Sequence, residues 1–247
     1  MNGRVLSFLD AGPSLTQRVE AFDWEAAAAE LDAQGSAVLA ALLSRAECES
    51  LAALYALDEP FRSRVVMQRH EFGRGEYRYF AYPLPTIIDE LRAALYPRLA
   101  PIANDWYAAM RIDARFPERH AAFIERCHDA GQVHPTPLLL QYVAGDYNCL
   151  HQDLYGEHVF PLQVIVLLSA PGRDFDGGEL VMTEQRPRMQ SRAHVLPMHQ
   201  GDAAVIAVHQ RPLLGARGVY RVNLRHGVSR VRSGQRHTAG IIFHDAQ

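Results

Sequence analysis

The most reactive-looking feature of the 247-residue sequence is a pair of ligand-type residues two positions apart, His151 and Asp153. Side chains at positions i and i+2 of a β-strand point to the same face, so both could reach one metal ion. A third such residue, His226, follows the strand-like segment YRVNLR. Two imidazoles and one carboxylate on a β scaffold form a facial triad for Fe(II), which leaves three octahedral positions open. We therefore predict an iron site at His151, Asp153 and His226.

A second chemical feature is an arginine at the start of the strand-like segment RHTAGIIF. Strand alternation puts Arg236, Thr238 and Gly240 on one face, where the small neighbours leave room for a slim ligand. A guanidinium binds a carboxylate bidentately and stays charged when partly buried. We expect Arg236, with Thr238, to bind the distal carboxylate of 2-oxoglutarate, whose other end would chelate the iron. The alternative is a structural salt bridge, which the local scarcity of acids disfavours.

Two further residues are candidates for the same site. Gln163 alternates with Leu162 and Val164, so it could point into a barrel and contact 2-oxoglutarate. The alternative is a buried, hydrogen-bonded glutamine. Tyr155 closely follows Asp153 and could stack on a substrate ring, whereas an interface or core tyrosine is the alternative.

Arginines and aromatic residues interleave between positions 62 and 82, around Gly73 and Gly75. The two glycines indicate a hairpin or mobile loop. Arginines attract phosphates and aromatic rings stack on bases, so segment 62–82 is a candidate substrate lid. The alternative is an amphipathic strand pair that covers the mouth of a barrel. The predicted substrate contacts in the segment are Arg74, Arg78, Tyr77 and Tyr79.

The chain changes character near Pro137. Before it, the sequence indicates helices: one opens at Asp23 and stops at Gly35, another has a Ser44 capping box, and residues 86–130 contain helices broken by prolines. After it, short apolar runs alternate with turn signals at the spacing of a sandwich or barrel. The predicted class is α+β. A single domain, 1–247, combines a mainly helical part (1–136) with a jelly-roll, double-stranded β-helix core (137–247).

Composition narrows the class of protein. The chain is 48% hydrophobic and 21% charged, which excludes a disordered protein. No apolar run is long enough to span a membrane, and residues 1–13 lack the apolar core of a signal peptide, so we expect a cytoplasmic protein that does not bind membranes. Three distant cysteines argue against a disulfide framework or a cysteine zinc site.

Charge is distributed unevenly along the chain. All 25 basic residues are arginine, and residues 186–247 contain 10 of them against two acids, a balance of +8. Residues 1–185 contain 15 arginines against 26 acids, a balance of −11. A clustered basic face attracts anions such as nucleic acid. The alternative is that these arginines pair with the acidic first part.

These motifs together resemble the Fe(II)/2-oxoglutarate-dependent dioxygenases, over roughly residues 137–247. The stretch QYVAGDYNCLHQDLYGEH is similar to the metal-strand region of AlkB-type nucleic-acid demethylases. In those enzymes a tyrosine nine residues before the metal histidine contacts 2-oxoglutarate, and Tyr142 matches that place. GGEL, GDAAVI and the HGV…R spacing are similar to prolyl-hydroxylase-type enzymes. More closely, the stretch resembles a bacterial oxygenase family predicted to act on damaged, alkylated DNA.

The resemblance implies a function and leaves alternatives. It implies that O2 and 2-oxoglutarate are consumed to oxidise alkylated nucleic acid, single-stranded for preference, as oxidative demethylation in DNA repair. AlkB-type enzymes, however, have a second arginine where this chain has Ile242, and favour asparagine where it has Leu140. One alternative is therefore a prolyl-type protein hydroxylase. The other is a cupin-like metal-binding module with no enzymatic activity.

Overall fold

The computed structural model of the protein describes residues 12–154 and 156–247. Its helices all precede residue 130 and are α1 (Leu15–Glu20), α2 (Trp24–Gln34), α3 (Arg45–Ala53), α4 (Thr86–Ala109) and α5 (His120–Asp129). Its strands are β1 (Ser36–Leu39), β2 (Phe61–Val66), β3 (Gly73–Arg74), β4 (Glu76–Phe80), β5 (Leu138–Val143), β6 (Tyr147–His151), β7 (Leu162–Leu167), β8 (Phe175–Gly177), β9 (Leu180–Gln185), β10 (Arg192–Leu196), β11 (Ala203–Ala207), β12 (Gln210–Gly215), β13 (Gly218–Val228) and β14 (Val231–Ile241).

The strands form two antiparallel sheets, as the alternating pattern after Pro137 predicts. The larger sheet has the order β1-β11-β7-β14-β5-β4-β2, and β8 pairs with β14. The smaller sheet has the order β10-β9-β13-β6-β3, and β12 pairs with β13. Consecutive strands often lie in different sheets, so residues distant in sequence line one interior. The helices add a hydrophobic core that is continuous with the larger sheet.

Helix α2 begins and ends, and helix α3 begins, where the sequence indicates. The Asp23 side chain accepts a hydrogen bond from the Ala26 N–H at the start of α2, and Gly35 ends the helix in the left-handed conformation. Ser44 and Glu47 form a reciprocal capping box at the start of α3. The Asp23 and Ser44 caps satisfy backbone donors that have no partner within the helix, and the Gly35 N–H donates to the Leu31 carbonyl oxygen.

The expectation that prolines break the helices after residue 86 is wrong for two of them. Pro97 and Pro101 both lie inside the continuous helix α4. Each proline removes a backbone hydrogen bond and costs about 3 kcal/mol. The helix buries an extended apolar face, which includes Leu95, Leu99 and Trp106, and this packing outweighs the local preference.

Segment 62–82 belongs to the sheets. β2 pairs with β4, and β4 extends the larger sheet by pairing with β5. Between them, β3 crosses to the smaller sheet and pairs with β6. The strand-pair alternative therefore describes this segment better than a mobile loop does. Because β3 contacts one sheet and β4 the other, the segment closes one side of the space between the sheets.

Two of the predictions fall on residues outside the ranges 12–154 and 156–247. Most of the amino-terminal segment 1–13 and the whole of Tyr155 lie outside the described residues. Among the helices at positions 12–154 and 156–247, none combines the length and apolarity needed to cross a membrane.

Candidate metal and cosubstrate site

The three predicted metal ligands come together between the sheets. His151 ends β6, Asp153 follows it, and His226 lies on β13 directly opposite His151 in the antiparallel register. The imidazole centres are 4.2 Å apart. The Asp153 carboxylate lies 3.5 Å from His151 Nε2 and 3.3 Å from His226 Nε2. One donor atom from each of the three residues lies within 4.8 Å of the other two, a set that fits a single Fe(II) ion.

The surroundings prepare these side chains to bind a cation. His151 Nδ1 lies 2.8 Å from the Cys149 carbonyl oxygen, which can only accept, so the ring proton is on Nδ1 and the Nε2 lone pair is available. Burial, followed by the nearby His226, lowers the pKa of His151. Burial opposes ionisation of Asp153, but its hydrogen bond to His226 and both histidines outweigh burial and lower the carboxyl pKa. Neutral imidazoles and an ionised carboxylate are the forms that bind metal.

Gln163 lies beside the metal ligands. Its Nε2 donates to Asp153 Oδ2 at 3.0 Å and is 3.1 Å from His226 Nε2. The side chain is 4% exposed and lines the same cavity. Its amide therefore contacts Asp153 and His226, so the buried-glutamine alternative describes it. Contact with 2-oxoglutarate stays a prediction.

Arg236 lies in the same interior on β14. It is 1% exposed, and its Nε and Nη1 atoms have no hydrogen-bond partner among the described residues. Burial lowers its pKa to about 10, so the guanidinium is still charged at neutral pH. An uncompensated buried charge costs several kcal/mol. A carboxylate would compensate this charge and accept hydrogen bonds from the guanidinium, so the site fits 2-oxoglutarate.

The residues around Arg236 match the predicted face. Tyr142 on β5 is its register partner, and Thr238 is two residues along β14. Both are buried and line the same cavity as Arg236 and the metal ligands. Burial raises the pKa of the Tyr142 hydroxyl, which keeps it a neutral hydrogen-bond donor.

Sequence reasoning missed the part that Gly178 plays beside Arg236. Gly178 has φ +62°, and a Cβ atom there would lie 2.9 Å from Arg236 Cδ and from Val231 Cγ2. Only glycine allows both this conformation and this approach. The available signal was the GGEL motif, which is similar to prolyl-hydroxylase-type enzymes but does not by itself indicate a contact with Arg236.

The site opens into a cavity of about 270 Å³. Its apolar wall comes from both sheets and includes Leu138, Leu140, Ile165, Leu180, Val228 and Ile242. Leu140 and Ile242, the two departures from the AlkB pattern, thus both line the cavity. The wall is largely apolar and leaves few charged groups to recognise a substrate.

The predicted substrate residues of segment 62–82 divide between two faces. Tyr77 and Tyr79 line the cavity. Arg78 lies between them on β4, so it points to the opposite face, where it bonds the Asp58 carboxylate at 2.9 Å and the Leu57 carbonyl oxygen at 2.7 Å. Arg78 therefore does not line the cavity, and its ion pair with Asp58 disfavours the predicted contact with substrate. Arg74 is 55% exposed, and its nearest carboxylate is Asp146 at 3.8 Å.

Several arginines of the basic final part form ion pairs. Glu184 forms ion pairs with Arg186 at 2.8 Å and with Arg192 at 3.6 Å, and it also pairs with the fully buried Arg211. Arg232 pairs with Glu179 at 3.7 Å. The alternative in which these arginines pair with acids of the first part therefore accounts for some of the +8 balance.

Comparison with known proteins connects this site to a family. Residues 75–246 match the family model Oxygenase-NA, described as "Oxygenase, catalysing oxidative methylation of damaged DNA". The chain is 47% identical over 167 residues to the uncharacterized protein Rv2227 of Mycobacterium tuberculosis, an alignment that covers 68% of this chain and 72% of that protein. The uncharacterized protein MT2286 of another strain of that species matches equally well.

Solved structures show the fold. The chain is similar to a Pseudomonas putida prolyl-4-hydroxylase, with a TM-score of 0.52 and 14% identity, covering 91% of this chain and 99% of that one. It is also similar to a 2OG-Fe(II) oxygenase family oxidoreductase from Burkholderia pseudomallei, with a TM-score of 0.54 and 20% identity, covering 92% and 94%. The predicted jelly-roll fold is confirmed.

Proposed function

The chain belongs to the Oxygenase-NA family, and from that premise we propose that it is an Fe(II)- and 2-oxoglutarate-dependent dioxygenase that oxidises alkylated nucleic acid. The observation that carries the proposal is Arg236, a buried cation without an ion-pair partner among the described residues, in one cavity with the His151, Asp153 and His226 triad. A cupin-like module would account for the triad alone. A dicarboxylate cosubstrate accounts for the triad and the arginine together.

Each residue has a defined task in this proposal. When bound, Fe(II) and 2-oxoglutarate deliver one oxygen atom of O2 to a substrate C–H bond, while the other enters succinate and CO2 leaves. Asp153 supplies the anionic metal ligand, and Gln163 orients it through the 3.0 Å hydrogen bond. Arg236 and Tyr142 hold the distal end of the cosubstrate. The apolar wall keeps water from the oxidised carbon.

The substrate proposal follows from the family and the size of the cavity. An oxygen-inserting site oxidises a methyl group and does not transfer one. On a base nitrogen, the hydroxylated methyl is lost as formaldehyde. A cavity of about 270 Å³ admits one base and not a duplex, so the base must be unpaired or flipped out. This supports a preference for single strands. A cytoplasmic location, where nucleic acid and 2-oxoglutarate are both available, is part of the proposal.

Protein hydroxylation is the second candidate function. Ile242 lies in the cavity wall where AlkB-type enzymes have a second arginine, so one polar contact of those enzymes is missing here. The product of such an enzyme would be a stable alcohol on a side chain.

The test is to incubate the Fe(II)-loaded protein with 2-oxoglutarate and single- or double-stranded oligonucleotides that contain one N-methylated base. We expect formaldehyde and loss of the methyl group by mass, faster on single strands, and neither product with Asp153→Ala. Succinate without formaldehyde, together with a proline-containing peptide that gains one oxygen atom, would favour the second candidate.

A further inference from the structure

An exposed aromatic pair lies at the mouth of the cavity, in the turn between β2 and β3. The rings of His70 and Phe72 are stacked, with centres 5.4 Å apart and planes 21° from parallel. Phe72 is 48% exposed and lines the cavity. His70 covers one face of the ring, so a planar group that enters the cavity meets the remaining surface of Phe72.

The position of this pair is fixed relative to the metal ligands. The Phe72 carbonyl oxygen accepts a 2.9 Å hydrogen bond from the Cys149 N–H, two residues before His151 on β6. Gly73 pairs with Asn148 on that strand at a φ of +132°, where a Cβ would approach the Tyr147 carbonyl oxygen to 2.5 Å. The strand that carries a metal ligand therefore also positions the aromatic pair.

The aromatic residues deeper in the cavity are already engaged. Tyr77 and Tyr79 contact each other edge to face, with centres 5.3 Å apart and planes at 86°. The Arg62 guanidinium lies 4.7 Å from the centre of the Tyr79 ring. Phe72 is therefore better placed than Tyr79 to receive a stacked ring.

The charges beside the pair favour a ring that carries phosphate. Arg69 and Arg74 flank it in the sequence and are exposed, and segment 69–74 has a balance of +1 because Glu71 is its one acid. Outside the segment, the Asp146 carboxylate lies 3.8 Å from Arg74. A nucleotide offers a flat ring for Phe72 and a phosphate for the arginines. A peptidyl proline offers a saturated ring and no phosphate.

We infer that Phe72, supported by His70, is a stacking platform for the unpaired base that enters the cavity. This inference rests on the proposed nucleic-acid function, and it makes Phe72 a residue that selects flat, phosphate-linked rings over peptide side chains.

The test is a thermodynamic cycle between Phe72 and the base. Protein loaded with Mn(II) and 2-oxoglutarate would be titrated with a fluorescent single strand that contains one N-methylated base, and with the same strand made abasic at that position. Stacking on an aromatic ring contributes about 1–3 kcal/mol, so Phe72→Leu should weaken binding of the complete strand by about 5- to 150-fold. The loss on the abasic strand should be less than about twofold.

Two further variants complete the test. Phe72→Tyr keeps a flat ring and should bind the complete strand within about threefold of wild type. His70→Ala leaves Phe72 in place and should give a smaller loss that also depends on the base. Equal losses on both strands, or none, would overturn the platform while leaving the proposed function intact. A wild-type protein that binds neither strand and forms no formaldehyde from methylated strands would overturn both.

Discussion

Arg236 and Tyr142 are register partners in the β14–β5 pair, and the guanidinium carbon of Arg236 lies 5.6 Å from the centre of the Tyr142 ring. Phe175 lies under the same guanidinium at 5.8 Å. Aromatic rings attract a cation without neutralising it. The rings thus hold the arginine in place while it stays charged. Its Nε and Nη1 donors remain available for an anionic ligand.

Replacing Arg236 should separate cosubstrate binding from metal binding. Removing one partner of a buried, hydrogen-bonded charge pair costs about 2–5 kcal/mol, so Arg236→Ala should raise the Kd for 2-oxoglutarate at least about tenfold. Arg236→Lys should recover only part, because lysine lacks the planar fork. Calorimetry on Mn(II)-loaded protein measures this, with metal affinity as the control. Unchanged 2-oxoglutarate affinity in the alanine variant would refute the assignment.

Adding a side chain at Gly178 should disturb Arg236 and weaken 2-oxoglutarate binding, because a Cβ there would lie 2.9 Å from Arg236 Cδ. Gly178→Ala places a methyl group against the arginine stem, and overpacking of this kind costs about 1–3 kcal/mol. We expect weaker 2-oxoglutarate binding with unchanged metal binding. Gly172→Ala is the matched control, because Gly172 has φ +76° with no atom within 4 Å of the added Cβ. Equal effects of the two substitutions would mean that backbone strain alone is responsible.

The two predicted lid arginines should differ in their effect on nucleic-acid binding. Each phosphate neutralised on a single strand contributes about −0.7 to the slope of log K against log salt. Arg74→Ala should reduce the slope by about one contact, because Arg74 is exposed. Arg78→Ala should leave the slope unchanged, because Arg78 is bonded to Asp58 on the other face of β4. Equal slopes for both variants and wild type would remove Arg74 from the interface.

Two histidines, the buried His244 and the half-buried His120, should make stability depend on pH. Burial is the main cause that lowers the pKa of both His120 and His244 to about 4. Their unfolded pKa is about 6.5, so between these values the unfolded chain binds more protons and the free energy of unfolding falls as pH falls. Each histidine should cost about 2 kcal/mol of stability between pH 7.5 and 5.

Urea denaturation at the two pH values would measure this effect. His244 Nδ1 accepts a hydrogen bond from the Phe160 N–H, so protonation would break that bond. His244→Asn keeps an acceptor that does not titrate and should flatten the pH dependence relative to wild type. An unchanged pH dependence in this variant would show that His244 binds protons equally in the folded and the unfolded chain.

The sequence predicts which residues share the site, because strand alternation is a local rule. His151, Asp153 and His226 converge, and Arg236 shares a cavity-facing side with Thr238, as period-two alternation requires. The same rule, applied between Tyr77 and Tyr79, would have assigned Arg78 to the opposite face. Gly73 and Gly75 also allow a mobile loop there, to which alternation does not apply.

Features that depend on distant packing could not be predicted in the same way. Pro97 and Pro101 oppose a helix locally, and only the apolar face of α4, packed in the core, makes it continuous. The approach of Gly178 to Arg236 joins residues 58 positions apart. Local patterns specify which residues share a face, whereas such contacts depend on how strands cross between sheets.

The conversion of 2-oxoglutarate to succinate by Fe(II)-loaded protein tests the central claim most directly. The account predicts that a methylated single strand stimulates succinate formation, with formaldehyde released in equal amount. It also predicts that Asp153→Ala, which removes the only anionic residue of the triad, abolishes turnover and iron binding while leaving the fold intact. Wild-type iron content and activity in Asp153→Ala, or no 2-oxoglutarate consumption by the iron-loaded wild-type protein, would contradict it.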